Sequence, residues 1–249
     1  IVNSDYERIS GRIRADYQAK KWLKLGANVG YIHSVQHSVP NQSTAANSAN
    51  LMYFTSSIAP IYPAYVRVVD ANGNVVIKQD DRGHNAYDFG IPSNDYGLNR
   101  PFMSTANPLA ANQYDVLENG GDQLNATFTA DVNITSFLKA NVTSTVNWGQ
   151  TNYSNYSNPF YGSKVGVNGE INKQSTSALR TNNVQTLTYF QDFDRHSVNV
   201  MVGHEYYKTT TKFLGAIAQG GFSPSIPEID AFAKISDASS YKSGYLSLI

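Results

Sequence analysis

The chain has no cysteine among its 249 residues. That excludes disulfide scaffolds, thiolate metal sites and thiol catalysis. Charge is scarce too: charged residues make up 15%, and the 19 basic and 19 acidic side chains cancel. A nucleic-acid binder would carry a basic surplus, so that class is excluded. No apolar run approaches the ~18 residues of a transmembrane helix. No signal-peptide pattern is expected in residues 1–30 as they stand, and Ile1 is not a start residue. The last residues, Tyr241–Ile249, break off inside an apparent strand, so both ends are expected to continue in a longer polypeptide. Helical periodicity is confined to two short candidates, Ala45–Ser57 and Ser104–Ala111. No phosphate-binding glycine motif, nucleophile–base pair or paired-carboxylate signature stands out, so neither an enzyme nor a cofactor is expected. What is abundant is uncharged polarity: 25 Asn, 25 Ser and 16 Thr, with 17 Tyr.

Period-2 alternation dominates the rest. Ile9, Gly11, Ile13, Ala15 and Tyr17 share one face, opposed by Arg8, Ser10, Arg12, Arg14 and Asp16. After a short connection near Ala19–Trp22, Leu23, Leu25, Ala27, Val29 and Tyr31 repeat the pattern. Leu124–Val132 and Leu138–Trp148 alternate likewise around a tight turn near Thr135–Ser136. A third hairpin is read from Leu179–Phe190 to His196–Tyr207, turning at Asp192–Asp194. Its first strand is ambiguous, because Leu187 and Tyr189 compete with Thr186 and Thr188 for the apolar face.

Alternation alone fits a soluble β-sandwich as well as a membrane barrel. Three features favour an antiparallel transmembrane β-barrel. The strands are long: Leu138 to Trp148 covers about 33 Å, which at ~40° tilt crosses a ~25 Å apolar band. Aromatics bracket the apolar faces, with Tyr17, Trp22, Phe137 and Phe193 near the short turns and Tyr31, Trp148 and Tyr206 at the far ends. Connections alternate in length. The three between hairpins, Ser38–Asp122, Gln150–Ser177 and Lys208–Ser240, take roughly 85, 28 and 33 residues, against a typical ~4–6. Short periplasmic turns and long extracellular loops are the outer-membrane pattern. Six strands and the start of a seventh fall short of the ~8 needed for closure. Residues 1–249 are therefore expected to be the central portion of a larger barrel, with 38–122 a long extracellular loop carrying its own hairpin. The alternative is a secreted or surface β-sandwich that binds carbohydrate.

Tyr6-Glu7-Arg8-Ile9-Ser10-Gly11-Arg12, Lys21-Trp22-Leu23-Lys24-Leu25-Gly26-Ala27-Asn28, and Tyr53-Phe54-Thr55 ahead of Pro60-Ile61-Tyr62-Pro63 resemble SusC/RagA-type TonB-dependent transporters of Bacteroidetes. Phe137-Leu138-Lys139 and His204-Glu205 resemble barrel strands of that family. The similarity covers nearly the whole chain but only part of a typical member; plug domain, TonB box and C-terminal strand are not in it. The resemblance implies a place in the bacterial outer membrane, among lipid and the remainder of the same barrel. It implies uptake of oligosaccharides or peptides, energy from a TonB complex reached through regions absent here, and a SusD-like surface lipoprotein as partner.

Local motifs point to turns more than to ligands. His33 and His37 share a face but lie about 13 Å apart along a strand, too far to share a metal. His204-Glu205 lacks the second His of a helical zinc motif. Asp70-Ala71-Asn72-Gly73-Asn74, followed by Asp81, departs from a calcium loop by placing Val75 where glycine is required. It reads instead as a hairpin of Val66–Val69 and Val75–Lys78 with a type I′ turn at Asn72-Gly73. Asn168-Gly169 reads as a similar turn, and the Gly-Gly pairs at 120–121 and 220–221 as loop closures. Two aromatic runs are candidate substrate contacts, since sugar rings stack on aromatic faces and Asn or Asp side chains bind hydroxyls. One is Tyr153, Tyr156, Phe160 and Tyr161; the other is Tyr87-Asp88-Phe89 with Tyr96, Arg100 and Tyr114. The same residues also suit an aromatic girdle or loop packing. The candidate substrate-binding set is Tyr87, Asp88, Arg100, Tyr153, Tyr156 and Tyr161, with no metal site.

Overall fold

A computed structural model describes residues 4–38, 50–80, 83–90, 100, 102–103, 107–160, 164–223 and 226–248. Among these residues, nine strands and two short α-helices follow in chain order. The strands are β1 (Asp5–Lys20), β2 (Leu23–Ser38), β3 (Arg67–Val69), β4 (Val75–Ile77), β5 (Val116–Asn133), β6 (Leu138–Ser157), β7 (Glu170–Phe193), β8 (His196–Gly221) and β9 (Phe232–Leu248). The helices are α1 (Leu51–Ser57) and α2 (Pro108–Tyr114). Seven strands make one antiparallel sheet in the order β1-β2-β5-β6-β7-β8-β9. β3 and β4 form a separate hairpin. Among the described residues β1 and β9 do not pair, so the sheet is a stretch of β-barrel wall, open at both edges. A sandwich would need a second sheet packed on the first, and among the described residues there is none.

The register gives the sheet two chemically distinct sides. Side chains on a strand alternate between faces, so rung partners share a face. Ile13, Val29, Ala126, Val146 and Thr181 stand on successive strands of one face. So do Tyr17, Leu25, Ala130, Val142 and Gln185. The other face carries Arg14, Asn28, Thr127, Thr145 and Asn182. Leu187 and Tyr189 pair with Val202 and Val200, which places both on the apolar face. Among the described residues nothing covers that face: Ile13 is 76% exposed and Val202 66%. Leaving such a stripe bare in water would cost about 25 cal/mol per Å².

Two turn lengths distinguish the ends of the wall. At one end the links are Lys21-Trp22, residues 134–137 and Asp194-Arg195. At the other they are residues 39–115, 158–169 and 222–231. The expected loops Gln150–Ser177 and Lys208–Ser240 are therefore largely strand. β6 continues to Ser157, β7 begins at Glu170, β8 runs to Gly221 and β9 begins at Phe232. β8, with 26 residues, extends roughly 85 Å, more than double what a ~25 Å band requires. Tyr31, Trp148 and Tyr206 accordingly lie within strands, at the upper limit of the apolar stretch and not at strand ends. Gly120 and Gly121 also lie inside β5, where a Cβ on Gly121 would approach Gln150 O to 3.0 Å.

The described part of the long connection is folded. Of the expected helix Ala45–Ser57, residues 45–49 lie outside the described residues, and α1 starts after Asn50, whose side chain accepts from Tyr53 N at 3.0 Å. Of the expected Ser104–Ala111, residues 104–106 likewise fall outside, and α2 begins at Pro108. The β3–β4 hairpin forms where expected, but not on a type I′ turn. Among the central residues only Gly73 has positive φ (+82°). The reason is Asp70: its Oδ1 accepts from Asn72 N at 2.9 Å and Asn74 N at 2.8 Å, while Gly73 N donates to Asp70 O at 3.0 Å. This carboxylate-capped turn holds Asn72 at negative φ. Asn168 and Gly169 do both take positive φ, at +53° and +83°, yet they close a 3-10 turn, Val165–Val167, rather than a hairpin.

Candidate functional site

Three of the residues singled out in the sequence, Tyr87, Asp88 and Arg100, sit together inside the long insertion. Their exposures are 6%, 2% and 4%. The local backbone explains why. Tyr65 and Tyr87 form an isolated antiparallel bridge, and Asp88 N donates to Ala64 O at 3.0 Å. Asp88 Oδ1 then accepts from Gly90 N at 2.5 Å, turning the chain so that Arg100 N reaches Gly90 O at 2.9 Å. The Arg100 guanidinium stands over the Phe54 ring of α1, 5.2 Å from its centroid. Burial lowers the Arg100 pKa from its ordinary value, while Asp88 and then Tyr62 pull it back up. A desolvated guanidinium over one aromatic face, with a buried carboxylate favouring its charge, is a packing device as well as a recognition chemistry.

Asn107 is the knot of this cluster, and sequence reasoning did not single it out. Its Oδ1 caps α2, accepting from Leu109 N at 3.1 Å and Ala110 N at 3.3 Å. Its Nδ2 donates to Ala64 O and Asp88 O, both at 2.9 Å. The signal was available: Asn followed by Pro marks a cap with Pro at the first helical position.

The two aromatic runs meet. Tyr87 packs against Tyr65 at 5.0 Å and edge-on to Tyr114 at 6.0 Å, and its hydroxyl bonds Gln113. Tyr114 in turn meets Phe160 edge-on at 6.2 Å, bridging the insertion to the segment after β6. Tyr153 and Tyr156 do not come together, because odd and even positions of β6 face opposite ways. Tyr153 stands on the polar face, next to Gln174 in register. Tyr156 is 5% exposed on the other face, clustered with Ile171, Ala218 and Phe232. Tyr161 and Tyr96 lie outside the described residues.

The polar face of the wall offers a second candidate surface. Gln123, Asn125, Asn147, Thr151, Thr176 and Arg180 surround a shallow concavity of about 240 Å³. Gly149 and Ala178 form its floor, leaving room where larger side chains would project. Amides, hydroxyls and one guanidinium can engage peptide carbonyls, carboxylates or sugar hydroxyls alike. His33 and His37 have carboxylate partners. His33 Nδ1 lies 2.9 Å from Asp122, and His37 lies 2.8 Å from Asp5 and 3.2 Å from Glu118. Among the described residues no three His, Asp or Glu side chains gather as a metal site. No helix among them is long and apolar enough to cross a membrane, which says nothing of strands.

No family model matches the sequence, and no curated protein matches it. Solved structures do. The RagAB peptide importer in its open-open state superposes with a TM-score of 0.68 at 19% identity. The RagAB peptide transporter gives 0.67 at 18%, and the importer in its closed-closed state 0.64 at 18%. Each match covers 98% of this chain and 25% of the other, so the chain spans about a quarter of the length of those proteins. What it shares with them is the fold of this stretch, an antiparallel β-barrel wall.

Proposed function

We propose that this chain is part of the barrel of a TonB-dependent outer-membrane transporter, importing peptides or oligosaccharides with a SusD-like surface lipoprotein. The observation that carries the reading is the two-faced wall. An uncovered apolar stripe on one side and an Asn/Thr/Arg-rich surface on the other suit lipid outside and a water-filled lumen inside. The open edges fit too, since unpaired strands are not viable in hydrocarbon and call for neighbouring barrel strands. Peptides are the cargo named for the similar importers, and the amide-rich concavity around Arg180 suits a peptide backbone and its terminal carboxylate. In this reading residues 39–115 lie outside the cell, Tyr153 faces the lumen, and Tyr87, Asp88 and Arg100 shape the insertion that borders the mouth. The test is uptake. Cells making the full-length protein should accumulate fluorescent peptides, or labelled oligosaccharides, only with a functional TonB complex. The protein should also need detergent and show heat-modifiable gel mobility. A full-length protein that dissolves in plain buffer defeats the membrane reading, and TonB-independent uptake defeats the transport reading.

A further inference from the structure

Among the described residues, three lysines on the apolar side of the wall have no counter-ion. Lys208 and Lys212 stand on β8 and Lys242 on β9, all exposed. The register sets Lys212 directly opposite Lys242, and Lys208 opposite Leu246. On the other flank their partners are Ser177 and Thr181 of β7. Across the surrounding rungs the same face carries Ser175, Leu179 and Asn183 on β7, Tyr206, Thr210 and Leu214 on β8, and Ser240, Gly244 and Leu248 on β9. There is no carboxylate among them. The nearby Lys173 differs, because it pairs with Glu228 at 2.5 Å. Two like charges directly across a ladder destabilise it, with Cβ atoms only about 5 Å apart. An anion between them reverses that sign.

Their height is specific as well. On β8 the apolar face runs Val198, Val200 and Val202, then His204 and Tyr206. From the turn at His196 to Tyr206 is roughly 33 Å of strand, which at ~40° tilt spans the ~25 Å apolar band. Lys208 is the first cation above that band, beside Leu246 and one rung pair above Leu248. Lys212 and Lys242 follow about 13 Å further along the strands. This is the level of headgroups, on the side of the wall that meets lipid in the membrane reading, on which this inference rests.

We propose that Lys208, Lys212 and Lys242 form a binding site for the phosphate groups of an outer-leaflet glycolipid. Lys212 and Lys242 hold one phosphate between them, and Lys208 meets charge nearer the acyl chains, with Leu246 and Leu248 against the first methylenes. Lysine suits this role as a point-charge phosphate partner.

Full-length protein in mixed micelles tests the proposal, with lipopolysaccharide, enzymatically dephosphorylated lipopolysaccharide and inorganic phosphate as probes. The intact glycolipid should bind on the order of a hundredfold tighter than the dephosphorylated one, each lysine near an anionic surface contributing roughly fivefold. The triple Lys208→Gln, Lys212→Gln, Lys242→Gln variant should lose that preference, and the corresponding triple arginine variant should keep it. Lys139→Gln, on the opposite face, should change nothing. Heat-modifiable mobility in the same samples reports whether each variant is folded, and the single Lys242→Gln variant should lose part of the preference if the triple does not fold. Equal binding of both glycolipids, a preference that survives the glutamines, or one lost with arginine overturns the site. Competition by millimolar inorganic phosphate overturns the lipid assignment. Wild-type protein that never enters micelles overturns the membrane reading instead.

Discussion

Asp115 takes two hydrogen bonds from Asn158 on a single oxygen, 2.8 Å from the backbone nitrogen and 2.6 Å from the side-chain amide. The contact ties the foot of the insertion to the segment that leaves β6, just beyond the rung that joins Val116 to Tyr156. Asn158 is 1% exposed, so its donors have no ready substitute in water. Asp115→Ala should cost about 1–3 kcal/mol of local stability by orphaning them. Burial raises the Asp115 pKa above its ordinary value, against the opposing pull of the Asn158 bonds. The folded junction therefore keeps its proton to higher pH than the unfolded chain. Its contribution is full below the ordinary carboxylate range and falls as pH rises through the raised value. Asp115→Asn keeps an acceptor without the charge and should flatten that dependence. Hydrogen exchange at residues 107–116 of the full-length protein, corrected for intrinsic rates, reads both effects. An identical pH trend in wild type and Asp115→Asn would remove Asp115 as the cause.

Asn107→Ala should loosen the insertion by about 2 kcal/mol, combining a lost helix cap with the loss of the amide donor to Asp88 O, while Ala64 O keeps its bond from Asp88 N. Asn107→Asp separates the terms: it caps α2 equally well but cannot donate to Ala64 O and Asp88 O. It should be at least as damaging as the alanine. Protease cleavage rates within the insertion, on intact cells, report the order. Wild-type resistance in Asn107→Asp would mean that the cap alone matters.

Gly90→Ala should be worse than an ordinary surface glycine substitution. Gly90 has φ +70°, and an added Cβ would lie 2.7 Å from Arg100 Cβ. By contrast, Gly73 has φ +82° but open space around it. Gly73→Ala should carry only the backbone strain, on the order of 1 kcal/mol. Thermal unfolding of the insertion, followed by proteolysis, should rank the two in that order; equal effects would show that the Arg100 contact is soft.

Val142→Arg should cost roughly 2–4 kcal/mol if the apolar face meets lipid. Its neighbour Asn141 donates to Asp131 Oδ1 at 2.7 Å on the polar face, where an arginine can replace the amide with an ion pair. Asn141→Arg should therefore be nearly neutral, and Val142→Leu tolerated. Folding of the full-length protein into lipid vesicles measures all three. Equal damage at positions 141 and 142 would defeat the assignment of faces.

The lower wall was legible in the sequence because one side of each strand is apolar there. Leu124–Val132 and Leu138–Trp148 alternate cleanly, and the register keeps them in step. Above Trp148 the contrast vanishes: Asn152, Tyr153 and Ser154 are polar on both sides, as are Thr209, Thr210 and Thr211 on β8. The backbone ladder needs no such contrast, so the strands run on where the pattern stops. Within the insertion, the Asn72-Gly73 hairpin was visible, but the burial of Asp88 and Arg100 was not. Charged residues in a loop normally read as solvated, and here a neutral asparagine, Asn107, holds the backbone that encloses them.

The insertion leaves the wall at Ser38 and returns beside it, where Ser38 pairs with Leu117. Its two stems are therefore adjacent strands, about 4.8 Å apart. A tight turn could join β2 directly to β5 without breaking one rung between Leu23↔Val132 and Ser38↔Leu117. Residues 39–115 are in that sense an exchangeable cassette. Descendants of this sequence can trade, enlarge or discard it while the wall that carries it stays the same.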